Sequence, residues 1–245
     1  MTDGQSTRRT CILVDLENYS GLDGIQQAIA QQELEAALTA AAHEVGLSRL
    51  QWERQPTGDG ELAVLPDGEP QAVVVGAFPV ALDAELCERH ERGGPRLRLR
   101  MSVVYGVVTP AQLGYADHAV VAAARIADAG PVRRALEGAS TSRLVLALSP
   151  DLFRDVIMHG DSALKADRFR RVPIDRIEGE AWITIPGLDP DRLAITPVRA
   201  TGEPEDRTIP TVDIDIDVAG RHGTVYQSTF NGGTNSDFHF GPRHG

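Results

Sequence analysis

The sequence predicts an α+β fold: a ferredoxin-like βαββαβ sandwich with extra C-terminal strands, followed by a linker and a flexible tail. Three observations predict it. Segments of strand and helix period alternate along the first 186 positions. The opening order is strand, helix, hairpin, which is how the ferredoxin-like arrangement begins. The texture then changes near Gly187 to a stretch rich in Pro and charge, without a usable period.

Each element can be read in turn. After ten N-terminal residues taken as disordered, "CILVD" is a short apolar run bounded by polar residues, a buried strand. "GIQQAIAQQELEAALTAAAHEVG" is rich in Ala, Leu, Gln and Glu and stops at Gly46, a long helix with a glycine end. "LQWERQPT", "GDG" and "ELAVLP" make a β-hairpin closed by an Asp-Gly turn. "PQAVVVGAFPVALDAELCERHERGG" is helical, with a kink or break expected at Pro79. "RLRLRMSVVYGVV" is a strand whose arginines share one face and whose leucines share the other. "DHAVVAAARIADAGPVRRAL" is a helix of small residues that must pack closely against a neighbour. "RLVLALS" is a strand, "DLFRDVIM" a short helix, and "FRRVPI" and "AWITIP" are two final strands.

The chain has 245 residues, 42% hydrophobic and 24% charged, which suits one domain over 11–186, a linker over 187–211 and a tail over 212–245. The net charge of −11 disfavours nucleic acid and anionic membranes as partners. No stretch approaches the roughly 20 apolar residues of a membrane span, and "MTDGQSTRR" lacks a signal-peptide core, so a cytoplasmic protein is expected. The two cysteines, Cys11 and Cys87, have no metal spacing and read as reduced thiols.

Two carboxylates stand at two turns. Asp15 ends the first strand and Asp59 lies in the hairpin turn, so a strand tip and a hairpin tip of one β-α-β-β unit can meet. Carboxylates that meet repel unless a cation or proton lies between them. Magnesium takes one or two carboxylates and completes its shell with phosphate and water. The segment after Asp15, Leu16, Glu17, Asn18 and Tyr19, leads into a helix whose first amides suit a phosphate. Each aspartate alone also fits a structural role, as a hairpin closure or a strand-end cap.

"ILVDLENYSG", "PTGDGELAV" and "AVVAAARIADA" resemble the three signature regions of the class III nucleotidyl cyclases, the adenylate and guanylate cyclase homology domain, over about residues 11–186. The resemblance implies that Asp15 and Asp59 bind two Mg²⁺ or Mn²⁺ ions. In the family these activate the ribose 3′ oxygen of a nucleoside triphosphate for attack on the α-phosphorus. It also implies a homodimer, because the family's site forms between protomers. With the third motif aligned on Arg125, the residue that would face the phosphates, Asp117 falls where the family has Gly and Val121 where it has the transition-state Asn. The purine-selecting Lys falls on Gln55, and its Asp partner near Gly114 or Tyr115. The family's phosphate-binding Lys has no clear counterpart, Arg176 being only a weak candidate. The metal-binding half is kept and most of the ribose- and base-handling half is lost. This pattern implies a degenerate domain that binds metal and nucleotide; the alternatives are an active cyclase of unusual base preference and a scaffold for the tail.

Four of the ten Tyr and Phe residues, Tyr226, Phe230, Phe238 and Phe240, lie in the last twenty positions. With the Gln, Asn and Gly around them they have the composition of a steric zipper. "GTVYQSTFNGG" resembles the bacterial amyloid signalling motifs related to RIP homotypic interaction motifs. That resemblance implies self-association, or templating of a partner with a matching motif, in signalling or antiphage defence. The aspartates of "VDIDIDV" read as gatekeepers against stacking.

Overall fold

The computed structural model describes residues 6–112, 114–160, 162–174 and 179–195, together with the backbone of 214–218, 221–230 and 233–238. The chain divides into two units, Met1–Arg199 and Ala200–Gly245.

The first unit is an α+β fold built on one sheet. Its strands are β1 (Thr7–Leu16), β2 (Glu53–Pro56), β3 (Gly60–Val64), β4 (Leu99–Ala111), β5 (Gly114–Ala116), β6 (Leu144–Leu148), β7 (Arg170–Pro173) and β8 (Glu180–Thr184). Their order is β2-β3-β1-β4-β6-β8-β7, with β5 paired to the far end of β4. The first four strands thus have the ferredoxin-like order, and only β4 and β6 run parallel. All five residues of β6, Leu-Val-Leu-Ala-Leu, are buried, as a strand covered on both faces requires.

Helices cover both faces. On one lie α1 (Gly24–Glu44), α2 (Gln71–Val75) and α3 (Ala77–Glu91), packed through Ile12, Val14 and Leu16 of β1. On the other lie α4 (His118–Ala127) and α5 (Gly130–Gly138), packed over Cys11 with Leu13 beside it. A short α6 (Pro150–Leu152) follows β6 and continues into a π-helical turn over Phe153–Ile157. α4 approaches β4 closely because both surfaces are made of small groups. A Cβ on Gly106 would lie 3.1 Å from that of Ala119, and Ser102 Oγ donates to the Ala123 carbonyl at 2.7 Å.

Four local readings are corrected. β1 begins at Thr7, so Thr7–Thr10, expected to be disordered, are strand paired with β4. The break in the α2–α3 segment falls at Gly76, where a Cβ would meet Ser162 Oγ at 2.3 Å. Pro79 instead sits in the first turn of α3, where its missing N–H costs nothing. In the hairpin, Thr57 N donates to Gly60 O at 3.0 Å, so the turn residues are Gly58 and Asp59. Gly58 has a φ of +93°, a left-handed backbone that glycine takes without cost. Finally, the segment after Gly187 begins as part of the domain: Leu193 is buried, with Leu188 and Ile195 packed beside it.

In the second unit, β9 (Ile214–Val218), β10 (Arg221–Phe230) and β11 (Gly233–Phe238) form an antiparallel sheet of their own, in the order β11-β10-β9. Gln227 stands opposite Ser236 in its register. Among the described residues no helix is long and apolar enough to cross a membrane.

Candidate functional site

The site is laid out by strand period and by glycine. Side chains alternate along β1, so Asp15 projects on the face shared by Cys11 and Leu13. Across β1 it is flanked by Gly60 of β3 on one side and Arg100 of β4 on the other. A Cβ on Gly60 would lie 1.9 Å from the Val14 carbonyl oxygen, so only glycine lets the hairpin come this close to β1. Leu16 N donates to Asp59 O at 2.8 Å and fixes the turn against the strand end. The Gly-Asp-Gly spacing thereby brings Asp59 close enough to Asp15 for the two carboxyl groups to act on each other electrostatically.

The electrostatics of this pair are not those of a surface carboxylate. Burial pushes the Asp15 pKa up, the Arg100 guanidinium pulls it down, and Asp59 pushes it up again; the net direction is upward. Arg100 Nε donates to Asp15 Oδ2 at 2.7 Å, and Nη2 donates to the same oxygen. Next to it, Arg98 Nη1 pairs with Glu17 at 2.7 Å. Arg98 also donates to the carbonyls of Ser142, Leu136 and Ala139 and so ties the α5–β6 connection to the sheet end. Sequence reasoning missed Arg100. Asp15 and Glu17 at the end of β1 and Arg98 and Arg100 at the start of β4 carry opposite charges at the same two-residue spacing, but only the register of β1 on β4 pairs them.

The loop after β1 is ordered by its own bonds. Asn18 adopts a left-handed φ of 59°. Gln31 Nε2 donates to Tyr19 Oη at 2.8 Å and to Gly58 O at 2.6 Å, joining this loop, α1 and the hairpin turn. The phosphate expected at the start of α1 meets an obstacle there. Asp23 Oδ1 already accepts from the amides of Ile25 and Gln26, in a capping box completed by the Gln26 side chain.

Gln55, on β2, does not join the aspartates; it packs against Gly114. A Cβ at Gly114 would lie 2.2 Å from Gln55 Oε1, and that buried oxygen has no hydrogen-bond partner among the described residues. Burial and the neighbouring Glu53 carboxylate push the Tyr115 hydroxyl up to about 12. Arg125 lies in the last turn of α4 and lines a separate open cleft of about 600 Å³ with Asp128, Gly130, Arg133 and Ile174. Val121, one turn earlier, is 44% exposed. Asp117, at the head of α4, has a φ of +93°, the backbone of a glycine position. Its carboxylate caps the helix by accepting from His118 N at 2.7 Å and from Thr109 Oγ1 at 2.8 Å.

Among the described residues no three His, Cys, Asp or Glu side chains converge as a metal cage. The Asp15–Asp59 pair does fit an ion that keeps water and phosphate as its other ligands.

No protein-family profile matches the chain, and no curated protein matches it. Solved structures do match in fold. One is the guanylyl cyclase Cya2, at 16% identity and a TM-score of 0.51, over 79% of this chain and 99% of that one. Another is a bacterial light-regulated adenylyl cyclase, at 16% identity and a TM-score of 0.52, over 78% of this chain and 56% of that one. The first unit therefore has the fold of a nucleotidyl cyclase domain.

Proposed function

We propose that residues 11–186 form a nucleotidyl cyclase-like domain that binds a nucleoside triphosphate with Mg²⁺ or Mn²⁺ and turns it over weakly or not at all. The observation that carries this reading is the proximity of Asp15 and Asp59, which Gly60 permits by its close approach to β1 and the Leu16 N to Asp59 O bond holds in place. Bound there, the ions supply Lewis-acid activation of a ribose hydroxyl and neutralise phosphate charge. The chain's own share is to hold the two carboxylates together, to keep the turn fixed through Leu16 N and Gln31, and to present Gln55 beside Gly114 where a base edge would be read. Arg125 would meet the phosphates from across a homodimer, and Val121 leaves the ribose without the hydrogen bond an asparagine would give it.

Binding titrations with each of the four ribonucleoside triphosphates plus Mg²⁺ or Mn²⁺ test the reading, followed by mass spectrometry for cyclic products. Metal-dependent binding that Asp59→Ala weakens at least about tenfold is expected. Binding that is unchanged in the variant would sink it. Abundant cyclic product that disappears with Asp59→Ala would instead favour an active cyclase of unusual base preference.

The tail is assigned self-association, or templating of a partner with a matching motif, within a cytoplasmic signalling or antiphage-defence system. In the three-stranded sheet β9 and β11 are edge strands, each with one row of backbone groups unpaired among the described residues, the template on which further strands add. Gln227→Lys in the full chain is expected to abolish thioflavin-positive assembly, because a stacked charge cannot be buried. Assembly unchanged in the variant, or absent from the parent chain, would count against a zipper through Gln227.

A further inference from the structure

The carboxylate pair already has a cation. Arg100 gives two donors to one oxygen of Asp15, and the side-chain hydrogen bonds of its guanidinium among the described residues both go to that carboxylate. The two residues face each other across paired strands, and their side chains are only 14% and 17% exposed, so this is not a passing surface contact. The neighbouring Arg98 differs: it is spent on Glu17 and three carbonyls and is part of the scaffold. A guanidinium stays charged at any pH at which a protein folds. A divalent ion that takes Asp15 must therefore both displace Arg100 from its carboxylate and settle beside its positive charge.

We propose that Arg100 is a resident competitor at the carboxylate pair, holding Asp15 while the site is empty of metal and setting how tightly a divalent ion binds. This rests on the reading of Asp15 and Asp59 as metal ligands. It predicts weak binding of metal alone by the wild-type chain, since the ion gains two carboxylates only by breaking a charge-assisted pair and facing a like charge.

Mn²⁺ titration of the full-length protein without nucleotide, followed by electron paramagnetic resonance of the free ion, tests it. Arg100→Met is expected to tighten Mn²⁺ binding by about tenfold or more, the effect of removing one close like charge from a partly buried site. Arg100→Lys, which keeps the charge and loses the two-donor fork, is expected to fall between the two. Arg100→Met/Asp59→Ala is expected to lose the gain. A merely structural role for Arg100 cannot mimic this result, because a loosened site binds metal more weakly. Affinity unchanged or reduced in Arg100→Met, with binding still sensitive to Asp59→Ala, overturns the competition and leaves the metal site standing. No Mn²⁺ binding in any of the variants overturns both.

Discussion

Replacing Arg49 by alanine is expected to lower the unfolding free energy by about 3–5 kcal/mol, the loss typical of removing one partner from a buried charge network. Arg49 is 5% exposed and lies just before β2, where one guanidinium serves three residues on two elements. Its Nη1 and Nη2 donate to the two carboxylate oxygens of Glu61 on β3, at 2.6 and 3.0 Å. Nη2 also pairs with Glu35 of α1, and Nε donates to Thr39 Oγ1 at 3.2 Å. Arg54 of β2 completes the network through Glu35 at 2.7 Å. Alanine would strand Glu61, itself 12% exposed, with only Arg54 at 3.8 Å to answer it.

Urea denaturation of the full chain measures this loss, and a change under about 1 kcal/mol would show that the network is solvent-screened. Arg49→Lys, which keeps charge but not the fork, is expected to fall between. The pH dependence has a definite sign. Burial raises the Glu35 pKa, but hydrogen bonds and charge from Arg54 and Arg49 outweigh it, and the net direction is downward. A depressed acid contributes its stability above the ordinary carboxylate range and loses it as pH falls through the folded value. The gap between wild type and Arg49→Ala should therefore narrow on acidification. Because Glu61 stands two residues from Asp59, the variant should also weaken metal binding, through the hairpin.

How much of this was legible in the sequence depends on the range of each signal. Period and punctuation are local, so the β1–α1–hairpin unit, the glycine stop at Gly46 and the fully buried β6 could be read directly. The meeting of Asp15 and Asp59 was legible for a similar reason: a strand tip and a hairpin tip in one β-α-β-β unit have few ways to be arranged. Arg100 was not, because its partner is 85 positions away and is chosen by the register of β1 on β4. Nothing local fixes that register. Pro79 misled because a proline breaks a helix only in its interior, and the chain had restarted its helix at Ala77. The capping box at Asp23 was a missed local signal: an Asp followed three residues later by Gln is an N-terminus pattern, and it claims the very amides expected to hold a phosphate.

Val121→Asn is the substitution expected to gain function. Val121 and Arg125 stand four residues apart on α4, so their side chains share a helix face. Asp117, four residues before Val121, has the positive φ of a glycine position, as the proposed alignment of Val121 with the family's asparagine requires. A transition-state hydrogen-bond donor is worth about 10²–10³ in rate. Restoring one should raise cyclic-nucleotide formation about 10²-fold while leaving the dissociation constant for the metal–nucleotide complex nearly unchanged, the signature of an interaction made only in the transition state. The fold should tolerate the change, because position 121 is 44% exposed and valine and asparagine differ little in helix propensity. Val121→Leu, equally apolar, should do nothing. Arg125→Ala placed on top of Val121→Asn should remove the gain if the guanidinium faces the phosphates. A Val121→Asn chain that binds metal and nucleotide but still makes no cyclic product would mean that the defect lies elsewhere: in base and ribose placement through Gln55 and Gly114, or in an Arg100 that does not release Asp15.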